Sequence, residues 1–149
     1  MPVRVKDRGA ARMVANVARR TKKTVSVGVI GQGASARTQE GTTVAEVAAW
    51  AEFGTDSIPA RSFIRGYVDE NEALLRDKLR GAGVRVAKGD WSLEQALGLV
   101  GLFAVTGIRN RIDEHIPPPL AASTVARKGH DKPLVDTRQL YVSITHEVE

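Results

Sequence analysis

The stretch ALGLVGLFAVTGI, Ala96 to Ile108, is apolar on every side and limits what the chain can fold into more than any other segment. Ser92 and Gln95 stand in front of it at the spacing of a capping box, so a helix opens there. Pro117, Pro118 and Pro119 stop it, and the reading predicts a helix to Ile116. A membrane crossing needs about 20 apolar residues, and Glu94, Gln95 and Arg109 flank this stretch closely. An all-round apolar helix is instead buried on all sides. Two arrangements satisfy this: a central helix within its own domain, or a helix with one side covered by another subunit. Gly98, Gly101 and Gly107 permit close backbone approach in either case.

Around this helix the periodicity changes repeatedly. Ala10, Met13, Val14, Val17 and Ala18 recur at helical spacing and predict an amphipathic helix over 5–21. Val25, Val27 and Val29 alternate with polar or small residues, as in a half-buried strand. Residues 31–42 read as a polar loop. Thr43 and Glu46 form a second capping box, opening a short helix that Gly54 ends. Ile64, Tyr67, Val68, Leu75 and Leu79 predict a helix over 62–80, stopped by Gly81 and Gly83, with a short strand over 84–86 after it. Residues 117–138 show no periodicity and read as a long loop. Leu140, Val142, Ile144 and Val148 alternate with polar partners in a closing strand. Strands near both ends with helices between them predict an α+β fold, helices packed on one face of a small antiparallel sheet. At 149 residues the expectation is one domain over 1–149.

The net charge of +5 is concentrated: residues 1–23 carry +7, leaving −2 for the remainder. Such a segment faces nucleic acid or an acidic partner, or is a solvated helix face, which is the simpler reading. No aromatic residue is interleaved with these charges, which disfavours base stacking. The chain has no cysteine, so disulfides, thiolate metal sites and cysteine nucleophiles are excluded. No signal peptide is readable, and synthesis in a reducing cytoplasm is expected.

Candidate chemistry is sparse. Gly31-Gln32-Gly33-Ala34-Ser35-Ala36 follows a strand as a dinucleotide-binding turn does, but no apolar helix pattern follows to receive a pyrophosphate. Asp69, Glu70 and Glu72 cluster, yet Glu72 precedes Arg76 by four residues and Arg65 precedes Asp69 by four, the spacing of surface ion pairs. His115, His130 and His146 have no metal-ligand spacing. The expectation is no catalytic residue, no metal, no cofactor and no enzyme.

Two stretches carry a resemblance. VAEVAAWAEFGTDSIPARSFIRGYVDEN and PPPLAASTVARKGHDKPLVDTRQLYVSITHEV together span 60 of the 149 residues. They are similar to a family of small virion-morphogenesis proteins of tailed bacteriophages. In that family an alanine-rich helix leads into Glu-Phe-Gly and Ile-Pro-Ala-Arg-Pro-Phe, and Pro-Leu-(Ile/Val)-Asp-Thr-Gly precedes a final strand. Ala51 stands where relatives often have histidine, Ser62 where they have the second proline, and Arg138 where they have glycine.

The resemblance implies a structural protein of the virion, made in the host bacterial cytoplasm and acting in a ring at the head–tail junction. Its role would be neck or tail completion, or tail termination. Its partners would be like subunits and the phage connector and tail proteins, with transient contact to DNA and no membrane. A nucleic-acid-binding protein is the rival of another class.

The motif residues are assigned on this basis to a subunit interface: Glu52, Phe53, Gly54, Pro59, Arg61, Phe63, Pro133, Leu134, Asp136 and Thr137. In this reading Gly54 ends one helix, Ser62 caps the next, Phe53 and Phe63 pack across the turn, and Arg61 reaches a neighbouring subunit. Asp136 caps a turn. Arg12, Arg19, Arg20, Lys22 and Lys23 are the DNA-facing candidates. Loops 31–42 and 117–138 are expected to order on assembly.

Overall fold

A computed structural model describes Gly9, Arg12, Met13 and residues 22–114, 116–134 and 138–149. The fold is α+β. Strand β1 (Val25–Val29) is followed by helices α1 (Gly31–Ser35), α2 (Val44–Phe53), α3 (Ile64–Glu70), α4 (Glu72–Ala87), α5 (Leu93–Asp113), α6 (Ala122–Lys128) and α7 (Gln139–Ser143). Strand β2 (Ile144–Val148) comes last. The two strands pair antiparallel, Val25 opposite Val148 and Val29 opposite Ile144.

Both capping boxes form. Thr43 Oγ1 accepts from the Glu46 amide at 3.2 Å while the Glu46 carboxylate accepts from the Thr43 amide at 2.8 Å. Ser92 and Gln95 repeat the arrangement at 3.1 and 2.9 Å. Helix α5 is the centre of the molecule, packing on both strands and on α4. Phe63, Ile108, Ile112, Ile144 and Val44 are its largest fully buried neighbours or members. Ala82, Ala96 and Val100 form a second cluster between α4 and α5.

Burial of α5 is not all-round, which corrects one expectation. Ala96, Val100, Ala104, Val105, Ile108 and Ile112 are buried, but Leu99 and Leu102 on its remaining flank are exposed. Two of its glycines serve packing within the chain. A Cβ at Gly101 would come within 2.7 Å of the His146 ring and 2.8 Å of Val25 Cγ2, and one at Gly107 would overlap the Tyr67 ring. Gly107→Ala should therefore lose about 1–3 kcal/mol through overpacking. Gly81→Ala, where an added Cβ meets nothing within 4 Å, should gain up to about 1 kcal/mol from helix propensity. Chemical unfolding of the two variants checks the opposite signs.

Several boundaries differ from the sequence reading. Gly81 and Gly83 do not stop α4, and 84–86 is helix rather than strand. Packing of Ala82 against Ala96 and Val100 outweighs the helix cost of the glycines. The helix expected over 62–80 breaks at Asn71, whose side chain donates to Tyr67 O at 2.9 Å. Helix α5 ends at Asp113, short of Ile116. The two expected loops contain α1 and α6, and Arg37 and Thr43 form an isolated antiparallel bridge.

The closing strand begins only at Ile144, because 139–143 is helical. Leu140 and Ile144, both buried, are spaced by four, which suits helix and strand equally. Val142, placed on the buried side by strict alternation, is exposed. Of the expected 5–21 helix, Gly9, Arg12 and Met13 are helical and exposed, and the rest lies outside the described residues.

Candidate functional site

The segment from Glu52 to Phe63 is a lock within the chain. Gly54 ends α2 with φ 77°, and a Cβ there would lie 2.8 Å from Ala60 N and 2.9 Å from Ile58 O. The chain turns through Thr55, whose amide donates to Ile58 O at 2.8 Å, and returns so that the Arg61 amide donates to Ala51 O at 2.7 Å. That return sets two charged side chains inside the protein, Glu52 and Arg61, each only 6% exposed.

Glu52 receives the start of α3. Its carboxylate accepts from the Phe63 and Ile64 amides at 2.9 Å, the Arg65 amide at 3.0 Å and the Ser62 hydroxyl at 2.5 Å. These amides have no intrahelical partner, and the positive end of the helix favours an anion there. Burial pushes the Glu52 carboxyl up, yet the Ser62 hydroxyl and the three amides together outweigh it and hold it below the usual carboxylate range. Ser62 completes the cap by accepting from the Gly66 amide at 3.0 Å.

Arg61 points the other way. Its Nε and Nη2 donate to Pro118 O at 3.0 and 2.8 Å, and Nη2 also approaches Pro119 O at 3.4 Å. The triple proline is thereby tied to the hinge across 57 residues. Arg111 supports the same region, donating to Ser62 O at 3.2 Å and pairing through two nitrogens with Glu70.

These positions correct the interface assignment. Glu52 and Arg61 are buried, and Phe63 is fully buried in the core, so none presents a surface to a neighbour. Burial lowers the Arg61 guanidinium pKa, and its Nε and Nη2 donate to the triple-proline carbonyls of the same chain. Arg61→Ala should therefore destabilise the chain itself, by about 1–3 kcal/mol for the carbonyls left without donors. Thermal melting beside wild type checks it; an unchanged melt would return Arg61 to the surface role.

Phe53 and Phe63 do not pack across the turn: Phe53 is 68% exposed and carries Arg65 over its ring at 5.6 Å. Pro59 is exposed. Pro133 and Leu134 are half-buried, Pro133 O accepting from Lys128 Nζ at 3.3 Å. Asp136 and Thr137 lie outside the described residues.

Of the DNA-facing candidates, Arg12 and Lys22 are exposed, and Lys23 pairs with Glu94 at 3.3 Å. Arg19 and Arg20 lie outside the described residues. In the acidic cluster Glu70 pairs with Arg111 and Glu72 with Arg76 at 2.5 Å, while Arg65 lies over Phe53. Among the described residues no group of three or more His, Asp or Glu is placed to hold a metal, and no helix is long and apolar enough to cross a membrane.

Two of the surface grooves are largely apolar. One, of about 400 Å³, is lined mainly by Val29, Ala49, Phe53, Ile64 and Val68, with Glu52 and Arg65 also on its wall. The other, of about 460 Å³, is lined by Trp91, Gln95, Gly98, Leu99, Leu102 and His146. The first includes the end of β1 and the second a residue of β2, the two strands of a sheet with no third strand among the described residues. The sequence left open a flank covered by another subunit, but nothing in a uniformly apolar helix marks Leu99 and Leu102 as that flank.

No known protein family matches the chain, and no curated protein or solved structure is similar to it.

Proposed function

We propose that the chain is a structural, non-enzymatic subunit of a ring at the head–tail junction of a tailed-bacteriophage particle, completing the neck or the tail end. Its work is binding, to like subunits around the ring and to connector and tail proteins along the axis. The observation that carries the reading is the pair of exposed apolar grooves beside a two-stranded sheet. A sheet of two strands is marginal alone, and uncovered strand edges invite pairing with another chain. Arg138 adds support. Its φ of 58° is the conformation glycine takes most readily, and glycine stands there in the resembled pattern.

The test is the assembly of phage particles without this chain. Filled heads separated from free tails are expected. Intact, infectious particles would contradict the reading. Binding of duplex DNA by the isolated monomer, with a steep loss of affinity as salt rises, would favour the nucleic-acid-binding alternative instead.

A further inference from the structure

We propose that the outer edge of β2 receives strand β1 of a second copy of this chain, antiparallel, so that successive copies share one continuous sheet. The proposal rests on the reading of the chain as a ring subunit and specifies the contact between neighbours.

The hydrogen-bond register identifies the available edge groups. Thr24 and Glu149 exchange both backbone bonds, at 2.9 and 3.0 Å. Bonded and non-bonded pairs alternate along an antiparallel ladder, so Ser26–Glu147 and Gly28–Thr145 are the next bonded pairs in the register. The amide groups of Val25, Val27 and Val29 are therefore directed away from β2, and those of Ile144, His146 and Val148 away from β1. Arg109 confirms the direction at one point, donating from outside the ladder to Ile144 O at 2.9 Å. His146 and Val148 are left to offer the outer edge.

Charge selects the occupant and its direction. Lys22 and Lys23 lead into β1, whereas Glu147 and Glu149 stand at the end of β2, all four exposed. An incoming β1 running antiparallel to β2 brings Lys22, and Lys23 alongside its own pairing with Glu94, toward Glu147 and Glu149. Run parallel, it would bring them to the Ile144 end, where the Arg109 guanidinium already lies. Pairing of two β2 edges or of two β1 edges brings no lysine beside a glutamate: run parallel it sets like charges together, and run antiparallel it leaves them at opposite ends of the ladder. Like charges across a strand pair are destabilising.

The helix layer agrees with this arrangement. Two strands occupy about 9–10 Å, close to the 8–10 Å at which helices pack side by side. Each added copy thus brings its own helices to the flank of α5 that exposes Leu99 and Leu102. Because the two edges of one copy differ, the contact is head-to-tail, and it closes into a ring if its rotation allows.

The cysteine-free chain makes the test clean. Ser26 and Glu147 are exposed, and directly opposed strand residues lie about 4.5–5.5 Å apart, within disulfide reach. Full-length Ser26→Cys and Glu147→Cys chains are prepared separately, mixed and oxidised, and assembly size is read by sedimentation. The mixture is expected to give a cross-linked dimer containing one of each chain, and either chain alone none. Cross-linking of either variant with itself would overturn the proposal, since like edges would then be meeting. Ring-sized particles without the mixed cross-link would overturn the strand pairing and leave the ring reading standing. Mixed cross-links in open filaments would sustain the pairing and sink the ring. Monomers without any cross-link would overturn both.

Discussion

Glu52→Gln is expected to cost about 3 kcal/mol, because a buried charged acceptor shared by three amides and a hydroxyl is lost. The wild-type carboxylate satisfies three amides and a hydroxyl while almost wholly buried. A glutamine keeps the size but replaces one acceptor oxygen with an NH₂ group, which faces donors. Bonds to a charged acceptor are each worth about 1.5–3 kcal/mol, and the loss of negative charge at the start of α3 adds to it. The pH dependence separates this from simple misfit. The folded pKa of Glu52 is lowered, so its contribution is present above the unfolded value, about 4.3, and is lost as pH falls through the folded value. The difference in stability between wild type and Glu52→Gln should shrink on acidification through that window. A difference independent of pH would show that the carboxylate charge is not what holds α3.

Phe63→Ala should lose about 3–5 kcal/mol, the usual range for a buried phenylalanine. The ring is fully buried in a core containing Val44, Tyr67, Ile108 and Ile112, where a cavity cannot collapse easily because α5 is held at both ends. The capping box fixes its start, and Arg111 ties its last turn to Ser62 O and Glu70. Equilibrium denaturation measures the loss. A cost below about 1 kcal/mol would mean that the helices close over the void, and that the hinge is less rigid than its hydrogen bonds imply.

The two large effects fall in the motif that reads as an interface in the sequence. A motif that looks particular can be particular because folding demands it. In sequence its cation, Arg61, stands on a turn stiffened by Pro59 and reads as free to reach a neighbour. The acceptors are 57 and 58 residues away, in the triple proline. Glu52 is similar, since its partners lie 10 to 13 residues on. By contrast the Thr43–Glu46 and Ser92–Gln95 boxes are closed within one turn, so sequence spacing alone specifies them. The β1 alternation was equally local.

The failures are of one kind. Gly81 and Gly83 read as stops, yet contacts of Ala82 with α5 carry the helix through them. Residues 140–143 alternate as a strand should, yet Ser143 Oγ donates to Gln139 O at 2.7 Å in a helical turn. Tertiary packing decided both. The uncovered flank of α5 is the reverse case, where an apolar pattern promised burial that the described chain does not supply.

That unmet burial is where the proposed function can be tested most directly, by electron microscopy of the purified full-length chain. Closed rings of uniform diameter are predicted, with neighbours joined at the sheet edges. A field of monomers at every concentration, binding duplex DNA in a strongly salt-dependent manner, would contradict the account.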